Sequence, residues 1–293
     1  MALLLDRPLA VDAGSEALRE IASRNAPDPD AARRLMARVM LHLPRLADED
    51  GRLALDQAEA EIERLAAQEA TPPVWLSAPA RSPRGPLDLR LAEADTGRAA
   101  TVHEGFHYLR SYRDGLHLEA TFGGRMAVLL TFASLDIAPI GAGLPPSVEP
   151  AAVQVLARVY AAPWAPRNSL SRALALATRE LRARDRRTRL LLTYLNRGIG
   201  FDGASYRAAN WHLYGHEHGT RYAYLDGTYV TDRKLEQRFG TSDARALEHL
   251  LGDRLAFSRM PLAPLDLYAF AIDPRLRRSL VAAPTRRWAR PGI

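Results

Sequence analysis

The chain has 293 residues, 47% of them hydrophobic, which is enough for a sizeable core and for one main domain with an accessory one. It contains no cysteine, which excludes disulfide frameworks, thiolate metal sites and cysteine nucleophiles. The formal net charge is +6, carried almost wholly by arginine because Lys234 is the sole lysine; a GC-rich coding sequence gives the same bias, so the charge argues only weakly for a nucleic-acid partner.

In chain order, Met1 to Leu5 is apolar, but Asp6 and Arg7 follow at once, too soon for a signal or membrane-spanning segment. No later stretch reaches about 18 uncharged apolar residues, so the expectation is a soluble, cytoplasmic protein with no membrane partner. Three helices are expected next. Ser15 can cap the first, Asp28-Pro29 opens the second, which ends near Pro44, and Leu55, Ala58, Ile62 and Leu65 form an i, i+3, i+7, i+10 stripe for the third. Residues 1–71 therefore read as a helical accessory region that packs on the rest or forms a homodimer contact. Residues 72–99 follow as a linker or crossing segment, with five prolines between Pro72 and Pro86.

The pattern then changes to alternating strands and helices. Residues 116–122 and 125–135 are strand-like runs joined by Gly123-Gly124, and 153–161 is a further alternating run. In 163–184, Leu170, Ala173, Leu174, Ala177 and Leu181 share one helical face, and Asn168 or Ser169 can cap its start. Residues 189–194 form a short apolar run expected of a strand buried on both faces. A glycine-rich turn at 198–203 leads into a helix through 205–213, and Asp226-Gly227 closes a second hairpin. Two helices near 232–239 and 242–252 precede a last strand at 267–272. The fold class is α/β, an α+β layered mixed sheet flanked by helices over 100–280, with a basic tail at 281–293.

Two segments carry a family resemblance. APRNSLSRALALATREL, directly after a strand ending in AAP, and TYLNRGIGFDGASYRAANWHLYG, about twenty residues on, resemble the Mom-like branch of the Gcn5-related N-acyltransferase (GNAT) superfamily; HYLRS at 107–111 is a weaker third match. The likeness covers about half of the chain. It implies a GNAT-like sheet and an acetyl-CoA or other acyl-CoA donor, whose pyrophosphate would meet the helix start through Arg167, Asn168, Ser169, Ser171 and Arg172. The wider superfamily uses glycines there, whereas this chain has Ser169, Leu170 and Ser171.

The resemblance also implies that strand 155–162 polarises the acyl carbonyl through backbone N–H groups. The superfamily's proton-donating tyrosine lies four residues before a glycine, but counting back from Gly215 gives Trp211. Tyr206 is the expected donor, with Tyr194 as the other choice. Where the Mom-like pattern carries an aspartate and a histidine, this chain has Asn196 and Phe201; Asn196 can position a substrate, and the adjacent Asp202 can serve as base or simply cap a helix.

His107 is a candidate for acid–base or orienting work. His212, His216, Glu217 and His218 have ligand-like spacing, as do His103 and His107, but a helix end accounts for the first group and no metal is expected. The two departures point to a small-molecule amine or amino-acid-like acceptor. A nucleic-acid base, an aminoacyl-tRNA donor and an inactive GNAT-fold binding module are the other readings.

Overall fold

The computed structural model describes residues 8–40, 55–107, 109–135, 144–145, 147–196, 201–217, 223–257, 265–282 and 286–288. Three helices come first, α1 (Pro8–Arg24), α2 (Pro29–Met40) and α3 (Leu55–Ala70). They share a closed core of Leu18, Leu35, Val39, Ala58, Ile62 and Leu65. Asp28 caps α2 by accepting from Ala31 N at 2.8 Å. Ser15 does not cap a helix, since α1 already begins at Pro8. Pro44 lies outside the described residues. On its far side α3 meets the main body, where Glu61 forms an ion pair with Arg110.

The main body is built on an eight-stranded mixed sheet. In chain order the strands are β1 (Arg90–Glu93), β2 (Leu116–Phe122), β3 (Arg125–Ser134), β4 (Val153–Ala161), β5 (Leu190–Asn196) and β6 (His212–Glu217). A satellite sheet of β7 (Ala223–Leu225), β8 (Thr228–Val230) and β9 (Leu255–Phe257) follows, then β10 (Leu265–Ala271) and β11 (Arg286–Trp288) return to the main sheet. The order across the main sheet is β1-β2-β3-β4-β5-β10-β6-β11. Its neighbours are antiparallel except at β4/β5 and β6/β11.

Between β1 and β2 lie α4 (Thr96–Thr101) and a π-helical turn, Val102–Phe106. The wide turn closes with His107 N on Val102 O at 2.7 Å. The long crossing helix α5 (Ser169–Arg184) joins β4 to β5. It buries Ala173, Leu174, Ala177 and Leu181 against Leu118, Leu130, Phe132 and Leu156 of the sheet. Each buried leucine is worth about 1.5–3 kcal/mol of transfer free energy, so this face fixes the helix on the sheet. The other face packs Val153, Leu190, Leu192, Leu267 and Ala269 under α9 (Arg277–Ala282). In the satellite unit, α7 (Asp232–Phe239) and α8 (Ala244–Leu251) cover the three short strands.

The helix expected over 205–213 is a single turn, α6 (Ala204–Ala208). Asn210 takes φ 62°, which ends it, and His212–Glu217 leaves as a strand because pairing with β10 offers a full ladder. The histidines at 212 and 216 therefore sit on a strand, not at a helix end. The turn at 198–200 lies outside the described residues. No described helix is long and apolar enough to cross a membrane.

Candidate functional site

The site arises where two central strands stop pairing. β4 and β5 run parallel through Val153–Leu190, Gln154–Leu191 and Val155–Leu192, and there the ladder ends. On the other edge of β4 the register with β3 slips between Thr131/Phe132, so that Ala157 is an extra, bulged residue. Arg158 holds the bulge: its Nη1 donates to Ala157 O at 2.8 Å, while Nε and Nη2 donate to Ser111. At the point of parting, Thr193 Oγ1 donates to Leu156 O at 2.9 Å. A side-chain hydroxyl thus takes the place of the next backbone donor, in a spot where Thr193 is 1% exposed.

Past this point the strands diverge over a cleft of about 650 Å³. Its floor is Leu156, Ala157, Val159, Tyr160 and Ala161 with Thr193–Leu195, and Trp164 and Leu170 also line it. One wall is Phe201–Tyr206; the other is Phe106 and His107 with Leu76 and Ser77 of the proline-rich segment. Trp164 pins that segment by donating Nε1–H to Leu76 O at 2.9 Å.

Tyr206, Tyr194, Asp202 and His107 all line this one cleft. Tyr206 is buried on α6, with its ring 5.5 Å from Tyr268 and 5.7 Å from Trp211. Gly203 makes the approach possible: it has φ 74°, and a Cβ there would lie 2.4 Å from the Tyr268 hydroxyl. Asp202 spends Oδ1 on Ala204 N at 2.8 Å, the helix-start role. His107 accepts from Leu109 N at Nδ1, so a neutral ring carries its proton on Nε2. Asn196 ends β5 opposite Leu265; its side chain lies outside the described residues.

The start of α5 touches the cleft through Leu170. Asn168 takes the N-cap place with φ 67° and no side-chain cap, and Ser169 N is bonded to Pro166 O. Helix geometry leaves the next N–H groups, of Leu170 and Ser171, without an intrahelical partner. Arg167 is exposed beside them, and Arg172 has a buried Nε with no hydrogen-bond partner among the described residues. The hydroxyls expected as phosphate donors point elsewhere. Ser169 Oγ donates to Pro166 O and Ser171 Oγ to Asn168 O, because a serine in a first helical turn reaches nearby backbone carbonyls most easily.

Behind the His107 wall lies a second polar cluster. Arg113 N donates to His103 Nδ1, so His103 Nε2–H donates to Thr131 Oγ1 at 3.0 Å, Thr131 to His117 Nδ1 at 3.0 Å, and His117 Nε2–H to the Tyr112 hydroxyl. Tyr112 in turn donates to Asp114. Every member is satisfied in one consistent direction. Burial pushes the fully enclosed His103 down to about 4, helped by the Arg158 charge, and burial lowers His117 as well. His216 is bound to buried Asp266 at 2.8 Å. His218 falls outside the described residues, among which no cluster of three metal-binding groups occurs.

Sequence reasoning missed Thr193, the Ala157 bulge and the Leu76 wall. Only the threonine within the apolar run 189–194 hinted at the first.

A mixed sheet whose parallel central strands part over a cleft, beside the start of the crossing helix, is a GNAT-like fold. The chain belongs to the Mom protein family, whose model matches residues 88–281. No curated protein matches the sequence. Among solved structures, an N-acetyltransferase from Staphylococcus aureus Mu50 is similar at 10% identity over 63% of this chain and 99% of its own, with a TM-score of 0.35. A putative acetyltransferase from Salmonella typhimurium, solved with its cofactor acetyl-CoA, is similar at 12% identity over 64% of this chain and 95% of its own, with a TM-score of 0.33. At those scores the site is argued from its own geometry.

Proposed function

We propose that the chain is an acyl-CoA-dependent N-acyltransferase acting on a small amine or amino-acid-like metabolite. The observation that carries this reading is the parting of β4 and β5 past Val155–Leu192, over a cleft that reaches the first turn of α5. The residues fit an acyl-CoA at three places. The throat between Leu156, Val159, Trp164 and Leu195 is apolar and suits its arm. The uncapped start of α5, flanked by Arg167 and Arg172, suits its pyrophosphate. Beyond Leu156 the edge of β4 is released from β5 and offers backbone N–H groups to a carbonyl oxygen. Bound there, an acyl-CoA would supply an acyl group activated on sulfur.

The side chains then divide the remaining work. Tyr206 holds a hydroxyl proton in the cleft for a departing thiolate, and Tyr194 is the second phenol within the same walls. With Nδ1 accepting from Leu109 N, His107 presents Nε2–H and orients as a donor. Asp202 shapes the start of α6. A cleft of about 650 Å³ walled by Phe106, Leu76 and Phe201 suits a small acceptor. Membership of the Mom family favours a second reading, in which the acceptor amine belongs to a nucleic-acid base.

The test is ligand-induced stabilisation, because only the folded cleft can bind the donor. Acetyl-CoA, with CoA as comparison, should raise the melting temperature saturably. Arg167→Ala with Arg172→Ala should remove most of the rise without unfolding the protein. Absence of any rise at millimolar ligand would overturn the reading.

A further inference from the structure

The three N-terminal helices lie outside the family's match, which begins at residue 88, yet they reach into the cleft. Glu69, in the last turn of α3, and Pro72, just beyond it, both line it. A Cβ on Gly105 would lie 3.7 Å from Gln68 Nε2, so the end of α3 rests on the turn that carries Phe106 and His107. Two anchors hold this end in place. Before it, buried Glu61 pairs with Arg110; after it, Trp75 O accepts from Met126 N at 2.7 Å and Leu76 O from Trp164 Nε1 at 2.9 Å. Pro72 and Pro73 stop the helix between them.

Helix physics does not ask for a carboxylate there. The last turn, Ala67 to Ala70, holds one acid and no base, the reverse of what the negative end of a helix dipole favours. A residue that works against its own helix and faces an enclosed cleft marks a place where function overrides local preference. Among the described residues that line the cleft there are two carboxylates, Glu69 and Asp202, and no arginine or lysine. Asp202 gives Oδ1 to Ala204 N. The chain as a whole is +6, so the cleft has the opposite sign to the molecule. Phe106 and Tyr160, with ring centroids 6.3 Å apart, line the cleft as well, and aromatic rings favour a cation over an anion.

We propose that Glu69 is the anionic wall of a cation-selecting acceptor site, which the accessory helix α3 adds to the cleft. The inference rests on the acyl-transfer reading in calling the bound molecule an acceptor. A carboxylate keeps a neighbouring ammonium protonated, and a protonated nitrogen has no lone pair with which to attack. The charge that Glu69 holds therefore belongs to a second group of the acceptor, not to the amine that is acylated. An amine with a further amino group meets both needs, whereas one whose second group is a carboxylate is repelled.

Four probes of one chain length test it: hexylamine, hexanol, hexanoate and hexamethylenediamine, with binding to the full chain read by ligand-observed NMR at pH 7. The ammonium should bind about tenfold more tightly than the alcohol, as a hydrogen bond to a charged group allows, and hexanoate least. Glu69→Gln should erase that preference while the melting temperature and its response to acetyl-CoA stay as in the parent. Glu63→Gln, which removes the same charge from an exposed position on α3, should change nothing. With acetyl-CoA present, thiol release should be faster with the diamine than with hexylamine, and Glu69→Gln should bring the diamine down to the monoamine's rate. Equal binding of hexylamine and hexanol overturns the proposal. So does a preference that survives Glu69→Gln or is lost equally in Glu63→Gln, or a monoamine acylated as fast as the diamine. If acetyl-CoA neither stabilises the chain nor yields thiol while the preference for the cation stands, the donor reading falls and the cation site remains.

Discussion

At its start β5 is held on both edges. Leu190 to Leu192 pair with Val153 to Val155 of β4 on one side and with Ala269 to Ala271 of β10 on the other. From Thr193 onward β10 continues alone, and the β4 edge opens into the cleft. The closed end is ringed by arginines in water, whereas the open end is lined by tyrosines, tryptophan and aliphatic side chains. One strand thus separates a solvated, charged surface from an enclosed site suited to directed hydrogen bonds. Under the proposed function, an interruption in a ladder, rather than a cluster of titratable groups, marks the site. The cluster His103–Thr131–His117–Tyr112–Asp114 is hydrogen-bonded throughout, and none of its members lines the cleft.

The largest expected effect breaks the open end chemically. Tyr206→Phe keeps the ring against Trp211 and Tyr268 and removes only the hydroxyl, so no cavity forms. Losing a general acid costs about 10²–10⁴ in rate. Turnover should fall at least tenfold while the stabilisation by acetyl-CoA persists. Unchanged turnover would make Tyr206 a packing residue and pass the role to Tyr194.

How much of this could be read in the sequence follows from which forces are local. The hairpin 116–134, strand 153–161 and α5 were legible because hydrophobic period and turn glycines are written within a few residues. Strand β6 was not: HLYGHE has no strict alternation, and only pairing with β10, some fifty residues on, makes it a strand. Of the candidate residues, Tyr206, Tyr194, Asp202 and His107 line one cleft. Where Ser169 and Ser171 point was decided by local carbonyls that no motif records. That the arginines of 179–189 and 273–278 share one end of the sheet was not legible, because the two segments are far apart in the chain and Arg189 joins them only in the sheet.

A second experiment sharpens the contrast between the satisfied cluster and the cleft. His103 has its folded pKa lowered to about 4 by burial, below the ordinary value of 6.5. Above pH 6.5 both folded and unfolded chains hold it neutral, and its contribution to stability is fully present. As the pH falls from 6.5 towards 4 the unfolded chain takes up a proton that the folded one refuses, so stability falls across that window. The total is on the order of 3 kcal/mol. His103→Gln should flatten the decline of melting temperature between pH 6.5 and 4, leaving a residual slope from His117, which shifts the same way. Parallel curves for the two proteins would mean that other groups drive acid unfolding.

The smallest expected effect is at the point of parting itself. Thr193 Oγ1 is the donor that satisfies Leu156 O where the backbone ladder ends, in a place that water does not reach. Thr193→Val keeps the shape and removes the hydroxyl, leaving a buried carbonyl without its partner at a cost of about 1–3 kcal/mol. Two responses are open to the chain, and both are measurable. If β4 and β5 stay apart, the melting temperature drops by the cost of the orphaned carbonyl and the acetyl-CoA response is kept. If they zip further to recover a backbone bond, the cleft narrows and the acetyl-CoA response shrinks as well. We expect the first, because the Ala157 bulge, held by Arg158, keeps the β4 edge out of register with β5. Thr193→Ser should then restore stability through its hydroxyl alone. A valine variant as stable as the parent would show that the bulge sets the parting without help from Thr193.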